Sequence, residues 1–224
     1  MKKLKGFTLA EVLITLAIIG IIAAYTLPAL NANIQAQKVG PALAKAVNTL
    51  ENANKLALSE NDARSLIDIS DDYLDVLKMY IPGNSNITNG TVTYYLGNSN
   101  TAIVERLNRA YLSNDGMTYY VDQNYSTTSF SNENNNQKYN GNYFRVYVDV
   151  NGYRSKPNVT GKDFFYLIVD GKGSVIPFGG HEHAQYMEAA AQNGWSGTCE
   201  GKNFTSPENC AGSIADNGWK VIYR

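Results

Sequence analysis

The sequence predicts an α+β protein in which one long N-terminal helix is followed by a sheet of about four strands. The first observation behind this prediction is an apolar run over residues 7–30 that contains a single formal charge, Glu11. The second is the helical spacing of apolar residues beyond that run, and the third is a set of short strand-like segments in the second half of the chain.

Residues 7–30 are long and apolar enough for a helix that spans a membrane. At about 1.5 Å per residue the run would measure about 36 Å, whereas the hydrocarbon core of a bilayer is about 30 Å thick. Lys2, Lys3 and Lys5 precede the run and no comparable basic cluster follows it. The positive-inside rule therefore predicts a cytoplasmic N-terminus with the rest of the chain outside.

A short basic leader, a Gly6-Phe7 junction, a glutamate four residues after the phenylalanine and an apolar run occur together at the N-terminus. This combination resembles the processing signal of type IV pilins and type II secretion pseudopilins. The resemblance implies that a prepilin peptidase cuts between Gly6 and Phe7, which removes residues 1–6, and that the new N-terminal Phe7 is methylated.

Glu11 is unusual in this helix, because a carboxylate at the bilayer centre costs about 2.5–3.5 kcal/mol. The resemblance implies that Glu11 pairs with the N-terminal amine of a neighbouring subunit, and breaking a buried ion pair costs about 3–5 kcal/mol. Gly20 and Pro28 lie where members of the family carry helix-kinking residues. Each is also consistent with the higher background of Gly and Pro in membrane helices.

Two other interpretations of the first thirty residues stay open. A secretory signal peptide has about 7–15 apolar residues before its cleavage site, and this run is longer and carries a carboxylate near its start. A simple membrane anchor would explain the length of the run, but it would make the presence of Gly6-Phe7 and Glu11 a coincidence.

Helical spacing continues over residues 31–59, with charged residues between the apolar ones, as in an amphipathic helix. Gly40-Pro41 interrupts this pattern and predicts a bend or a short break. In pilin-like proteins this half of the helix packs on an antiparallel sheet, so the resemblance implies that the apolar stripe supplies that contact.

The segment after the helix gives weaker signals. Residues 60–81 predict a short helix that is capped by Ser70 and stopped by Pro82-Gly83. Residues 82–100 are predicted to be a loop, and residues 101–112 a further short helix.

The sheet is predicted within residues 117–177. Asp170-Gly171 is a strong hairpin signal between two of its strands. The asparagine-rich residues 123–142 form a surface loop, either variable or able to bind a ligand. The strands are predicted at residues 117–121, 143–150, 163–169 and 174–177.

The tail, residues 179–224, contains a predicted helix over residues 183–193, closed by Gly194, and a predicted edge strand over residues 219–223. Together with the leader and the apolar run, the sequence divides into a leader of residues 1–6, a membrane or filament-core helix of residues 7–30 and an exported domain of residues 31–224.

Cys199 and Cys210 are the only cysteines, and both lie in the part predicted to be outside. An even count in an oxidising compartment predicts a disulfide, and a loop of about a dozen residues corresponds to about 3 kcal/mol. A disulfide-bounded loop near the C-terminus also resembles that of many type IV pilins. The alternative is a zinc site with His181 and His183, although the spacing matches none of the usual zinc motifs.

Asp149, Asn151 and Asp163 are candidate oxygen ligands for calcium. Some pseudopilins bind calcium near the end of the domain, so the resemblance keeps this possibility open. The segment lacks the ligand spacing and the terminal glutamate of an EF-hand, and Asn-Gly is ordinary turn chemistry. The sequence therefore predicts no cofactor, with calcium as the alternative.

Composition argues against several functions. Removal of the leader would take three of the 19 Lys and Arg residues and leave 16 against 20 Asp and Glu, a formal charge of −4. No basic stripe typical of nucleic-acid binding is present in the sequence. It contains no phosphate-binding glycine loop and no nucleophile elbow, so we expect no enzymatic activity.

The resemblance to type IV pilins and pseudopilins implies a structural subunit, a minor pilin or a pseudopilin, that is inserted once into the bacterial inner membrane and then assembled into an extracytoplasmic filament. Its expected partners are membrane lipid, the prepilin peptidase, other pilin or pseudopilin subunits and the inner-membrane assembly platform. The alternatives are an adhesion module at a filament tip and a protein secreted through a signal peptide. The sequence does not distinguish a pilus from a secretion pseudopilus or a DNA-uptake filament.

Overall fold

The computed structural model describes residues 8–70, 72–87, 91–96, 102–106, 109–122, 130–132, 137–139, 143–155, 157–179 and 210–221. These residues form four helices and eleven strands. The helices are α1 Leu9–Glu60, α2 Leu66–Ile69, α3 Tyr73–Tyr80 and α4 Cys210–Asp216. The strands are β1 Gly83–Ile87, β2 Thr91–Leu96, β3 Ala102–Arg106, β4 Arg109–Ser113, β5 Thr118–Asp122, β6 Phe130–Asn132, β7 Gln137–Tyr139, β8 Tyr143–Asp149, β9 Asn158–Thr160, β10 Phe164–Asp170 and β11 Val175–Pro177.

Helix α1 has 52 residues and includes both the apolar run and the amphipathic segment. It continues through Gly40-Pro41, so the predicted short break is wrong, and the alternative of a bend stays a prediction. The N-terminal part of the helix is exposed, whereas from Gly40 onward one face is buried against the rest of the domain. That face consists of Leu43, Ala46, Val47, Leu50, Ala53 and Ala57.

The main sheet has nine strands within the described part of the chain, in the order β1-β4-β5-β8-β10-β9-β2-β3, with β11 paired to β10. It is a mixed sheet, because β9 runs parallel to both β10 and β2. The sheet curls into a half-barrel. The predicted sheet of about four antiparallel strands is therefore wrong in strand number and in direction.

The four predicted strands correspond to β5, β8, β10 and β11, and the hairpin at Asp170-Gly171 joins the last two. The error lies in residues 82–112, which were predicted as loop and helix but form β1 to β4. Strands β1, β4, β5 and β8 pair side by side, and this long-range pairing overrides the weak local preference of a short apolar segment.

Both faces of the sheet are buried. The first core lies between the sheet and helices α1, α3 and α4, and on β8 it includes Phe144, Val146 and Val148. The second core lies on the opposite face and is largely aromatic. There the Phe164 ring stacks on Tyr94 and Tyr147, with ring centroids 5.0 and 5.5 Å away.

Helix α3 buries Tyr73, Leu74, Val76 and Leu77 in the first core. Its cap differs from the prediction. The Asp72 carboxylate accepts the Leu74 N–H at 3.0 Å, whereas the Ser70 hydroxyl oxygen accepts the Asp72 N–H at 3.1 Å. Asp72 is therefore the N-cap, and Ser70 supports the turn that precedes it.

Three further predictions concern segments that the structure describes only in part or not at all. Strands β6 and β7 form a separate antiparallel pair within residues 123–142, where a surface loop was predicted. The predicted helix at residues 183–193 lies outside the described residues. Of the predicted strand at residues 219–223, residues 219–221 are described, and they do not form a strand.

Candidate functional site

The N-terminus of α1 is closed by a reciprocal pair of hydrogen bonds between Thr8 and Glu11. The Glu11 N–H donates to the Thr8 hydroxyl oxygen at 3.3 Å. The Thr8 N–H and its hydroxyl both donate to Glu11 Oε2 at 2.8 Å. This is a capping box, in which each residue satisfies a backbone donor that the first helical turn leaves free.

The segment Leu9–Leu27 of this helix is long and apolar enough to cross a membrane, by length and composition. It has 19 residues with a mean hydropathy of 2.2, and none of the window is buried inside the protein. Glu11 lies in its first turn, where the carboxylate already has two donors from Thr8. The bonds reduce the cost of placing an acidic side chain at the start of an apolar helix.

The chain matches the prokaryotic N-terminal methylation motif over residues 1–27. It carries the prepilin-type signal of type IV pilins and pseudopilins. The prepilin signal implies processing by a prepilin peptidase and assembly with other pilin subunits, and the pilin-like family is structural. No curated protein and no solved structure matches the chain.

The other residues that the sequence assigns to the prepilin signal are only partly described. Gly6 and Phe7 lie outside the described residues, so the cleavage position and the methylated residue stay predictions. Helix α1 runs continuously through Gly20 and Pro28, and a kink at either residue also stays a prediction. A methyl group added at Gly20 would meet no atom within 4 Å.

Cys210 is the first residue of α4 and is fully buried. None of the described cysteines is a free thiol. Cys199, His181 and His183 lie outside the described residues. The Cys199–Cys210 disulfide and the alternative zinc set therefore stay predictions.

Asp149, Asn151 and Asp163 come together at the ends of β8 and β10. The fully buried Asp149 carboxylate accepts the N–H groups of Asn151 at 3.2 Å and Gly152 at 2.9 Å. The Asn151 amide donates to Asp163 Oδ2 at 3.0 Å. Asp163 Oδ1 in turn accepts the Val159 N–H at 2.5 Å.

These hydrogen bonds fix the conformation of the segment between β8 and β10. Burial raises the pKa of the Asp163 carboxyl. The described part of the chain contains no group of three or more His, Cys, Asp or Glu residues that could hold a metal ion. Calcium binding by this trio stays a prediction.

The C-terminal segment docks on α1 where the helix enters the domain, which the sequence did not predict. An added Cβ on Gly40 would lie 1.9 Å from the carbonyl oxygen of Trp219. Trp219 has a φ of 61°, directly after Gly218 with a φ of 64°. Gly40 is thus required for a close backbone approach, and a bulky residue in the left-handed region shows that the surrounding contacts fix this turn.

Thr8 was also missed as a partner of Glu11, although its signal is readable. Thr8 and Glu11 have the spacing of a capping box, and the pattern stands directly at the start of an apolar run.

Proposed function

We propose that this chain is a minor pilin or pseudopilin, a structural subunit of a type IV pilus or type II secretion filament. The observation that carries the proposal is the prepilin-type signal on residues 1–27, joined without a break to a helix that is exposed at its start and packed in the domain at its end. The alternative is an adhesion module, whose asparagine- and tyrosine-rich loops lie largely outside the described residues; the described tyrosines at positions 94, 120, 147 and 166 belong to the second core.

The exposed part of α1 would be buried in two successive environments, the membrane and then the filament. Burial of apolar surface is favourable by about 25 cal/mol per Å², so lipid covers this helix before assembly and neighbouring helices cover it in the filament. Its large exposed apolar side chains are Leu9, Val12, Leu13, Ile14, Leu16, Ile18, Ile19, Ile21, Ile22, Tyr25, Leu27, Leu30 and Ile34.

Besides the apolar helix, processing would give the subunit a second feature for assembly, a positively charged N-terminus. Cleavage after Gly6 creates an amine on Phe7, which is then methylated and remains cationic. Glu11 lies one helical turn away and would pair with the amine of a neighbouring subunit. Such a pair would fix the stagger between helices, because separating its charges inside an apolar bundle is costly.

Location and partners follow from the same proposal. The subunit is held in the inner membrane with its domain outside, and the inner-membrane assembly platform adds it to the filament. In that compartment a Cys199–Cys210 disulfide would fasten the buried start of α4 to the preceding segment.

Mass spectrometry of the N-terminus of the mature protein tests the proposal. We expect methylated Phe7 as the first residue. A first residue near position 30 would instead identify a secretory signal peptide and overturn the proposal. An unprocessed N-terminus in cells that contain an active prepilin peptidase would also overturn it.

Assembly is tested with Glu11→Ala. The variant should insert into the membrane at least as well as the wild type, because it removes a charge from an apolar helix. It should be incorporated into filaments poorly. The matched control is Glu51→Ala, which removes an exposed pair with Lys55 on the domain half of the same helix. Normal incorporation of Glu11→Ala would count against the pairing role.

A further inference from the structure

We propose that Tyr25 binds the headgroup region of the outer lipid leaflet and thereby fixes the depth of α1 in the membrane before assembly. The inference rests on the proposed function, in which the subunit is inserted in the membrane, and it names a lipid contact of that subunit. Tyr25 lies two residues before the end of the apolar segment Leu9–Leu27. Its side chain is 81% exposed, so the protein leaves the phenol ring available to another molecule.

Tyr25 differs from the other polar residues of this segment in its hydrogen bonds. The polar side chains of the segment are Glu11, Thr15, Tyr25 and Thr26. Glu11 is paired within the capping box, and the hydroxyls of Thr15 and Thr26 donate to carbonyls of the preceding helical turn at 2.9 and 3.0 Å. The Tyr25 hydroxyl makes no hydrogen bond with any residue in the part of the chain that the structure describes. Its partner must therefore come from outside the described chain.

The headgroup region is the part of a bilayer that can supply this partner. The transfer of a hydroxyl from water into an apolar environment without a hydrogen bond is unfavourable, and the hydrocarbon core offers no donor or acceptor. Lipid ester and phosphate oxygens accept hydrogen bonds, and interfacial water both donates and accepts them. Tyrosine is enriched at this level because its ring stays in the apolar layer while its hydroxyl meets the polar one. Tyr25 thus lies at the outer boundary of the hydrocarbon core.

The depth of Tyr25 determines the depth of Glu11. The two residues are 14 positions apart in a continuous helix, or about 21 Å along its axis. In a hydrocarbon core about 30 Å thick, Glu11 then lies about 9 Å inside the cytoplasmic boundary. A carboxylate is more stable outside the hydrocarbon, so Glu11 favours a shift of the helix toward the cytoplasm. Tyr25 opposes this shift, because the shift would carry its hydroxyl into the hydrocarbon.

Without the Tyr25 hydroxyl the helix is free to move toward the cytoplasm. The hydroxyl of the next residue, Thr26, is already bonded within the helix, and the chain then stays apolar as far as Leu30. These residues can enter the hydrocarbon without leaving a new polar group unpaired. We expect a shift of about two to four residues, which corresponds to about 3–6 Å along the axis.

The experiment measures the depth of a tryptophan reporter in the full-length chain, reconstituted in phosphatidylcholine vesicles. Ile19→Trp places the reporter at an exposed position six residues before Tyr25, about 9 Å below the outer boundary. A fixed share of the lipid carries bromine, in separate samples at successive depths of the acyl chain, and the quenching profile gives the depth of the reporter. The chain without the reporter supplies the background from the two native tryptophans.

Tyr25→Phe removes the hydroxyl and keeps the ring. In the reporter chain it should move the tryptophan toward the bilayer centre by about 3–6 Å, because the helix moves toward the cytoplasm. Thr26→Val is the matched control, since it removes the hydroxyl of the adjacent residue, which bonds to the Ile22 carbonyl at 3.0 Å. The depth of the reporter should be the same in this variant as in the chain with both hydroxyls.

An unchanged depth in Tyr25→Phe would overturn the lipid contact and leave the proposed function intact. If such a variant were also incorporated poorly into filaments, the hydroxyl would instead serve a contact with a neighbouring subunit. Equal shifts in Tyr25→Phe and Thr26→Val would likewise overturn the special role of Tyr25. A reporter in the otherwise unchanged chain that bromine at no depth quenches would show that the segment lies outside the bilayer, and would overturn both the inference and the membrane insertion on which it rests.

Discussion

The hydroxyl of Tyr73 donates a hydrogen bond of 2.7 Å to the side-chain carbonyl of Asn54 inside the first core. Asn54 in turn donates its amide to the carbonyl of Gly173 at 2.9 Å, and both side chains are fully buried. One amide thus connects α1, α3 and the turn between β10 and β11. A satisfied buried polar group favours the arrangement in which all its partners meet, because any other arrangement leaves them unpaired.

Tyr73→Phe should lower the free energy of unfolding by about 1–2 kcal/mol, because it leaves the Asn54 carbonyl without this donor in a buried site. Tyr80→Phe is the control, since the Tyr80 hydroxyl accepts the Asn61 amide at 3.0 Å in an exposed position. That variant should change stability by less than about 0.5 kcal/mol. Urea unfolding of the full chain in detergent measures both, and equal effects would contradict a special role for the buried bond.

Gly40→Ala should destabilise the domain, although the same change in an open helix stabilises it by about 1 kcal/mol. The new methyl group would overlap the Trp219 carbonyl, and overpacking of this kind costs about 1–3 kcal/mol. Gly20→Ala is the control, because its methyl group has free space. Thermal unfolding in detergent should show a lower midpoint for the first variant only; a raised midpoint for Gly40→Ala would exclude the close approach.

Asp115 should make stability depend on pH. Burial alone would raise the pKa of its carboxyl, but hydrogen bonds from Ser113 and Lys45 help to lower the pKa below its usual value. A pKa that is lowered on folding stabilises the folded state at pH values above the pKa of the unfolded chain, about 3.9. This stability is lost as the pH falls through the pKa of the folded state. The advantage of wild type over Asp115→Asn should therefore shrink as the pH falls below about 4, by less than about 1 kcal/mol because Lys45 is exposed.

Asp163 provides the matched comparison for the pH dependence of the free energy of unfolding, because burial raises the pKa of its carboxyl. A raised pKa means that the unfolded chain releases its proton first, so stability is lost as the pH rises from about 3.9 through the folded pKa. The difference between wild type and Asp163→Asn should therefore change in the opposite direction. If the stability differences of Asp115→Asn and Asp163→Asn from wild type changed with pH in the same direction, the opposite pKa shifts of the two carboxyls would be disproved.

Cys199→Ser should lower the free energy of unfolding by about 3 kcal/mol, because the predicted disulfide with Cys210 would close a loop of about a dozen residues in the unfolded chain. Intact mass should show that the wild type carries two hydrogen atoms fewer than the reduced chain. A reductant should destabilise the wild type and leave Cys199→Ser unchanged. A wild type insensitive to the reductant would rule out the bridge.

Helices α1 and α3 were predictable because their signal is local and repeats from turn to turn, whereas the short helices α2 and α4 were not predicted. Helix α1 carries three- and four-residue spacing along its domain half, and α3 carries four buried residues within eight. The strands of residues 82–112 were not predictable in this way. Ala110 faces the second core and Tyr111 the first, so adjacent apolar residues are both buried, and a short run of this kind resembles a helix face.

The candidate site also contains one contact that the local sequence predicts and one that it does not. The pairing of Thr8 with Glu11 depends on residues three apart and was available from the sequence. The approach of Trp219 to Gly40 joins opposite ends of the chain, and no local pattern encodes it. The interruption at Gly40-Pro41 was noticed as a helix breaker, but its purpose is space for another backbone.

The parallel pairing of β2 with β9 restricts the order in which the chain can fold. Six other strands lie between β2 and β9 in the sequence, and β9 is the strand through which the β2–β3 hairpin joins the described sheet. In a chain exported from its N-terminus, as proposed, the hairpin would emerge early but would have no place in the sheet until residues 158–160 had followed. Closing a loop of this length slows folding, so an early stop in export would leave the hairpin and its aromatic side chains available for contacts with other chains.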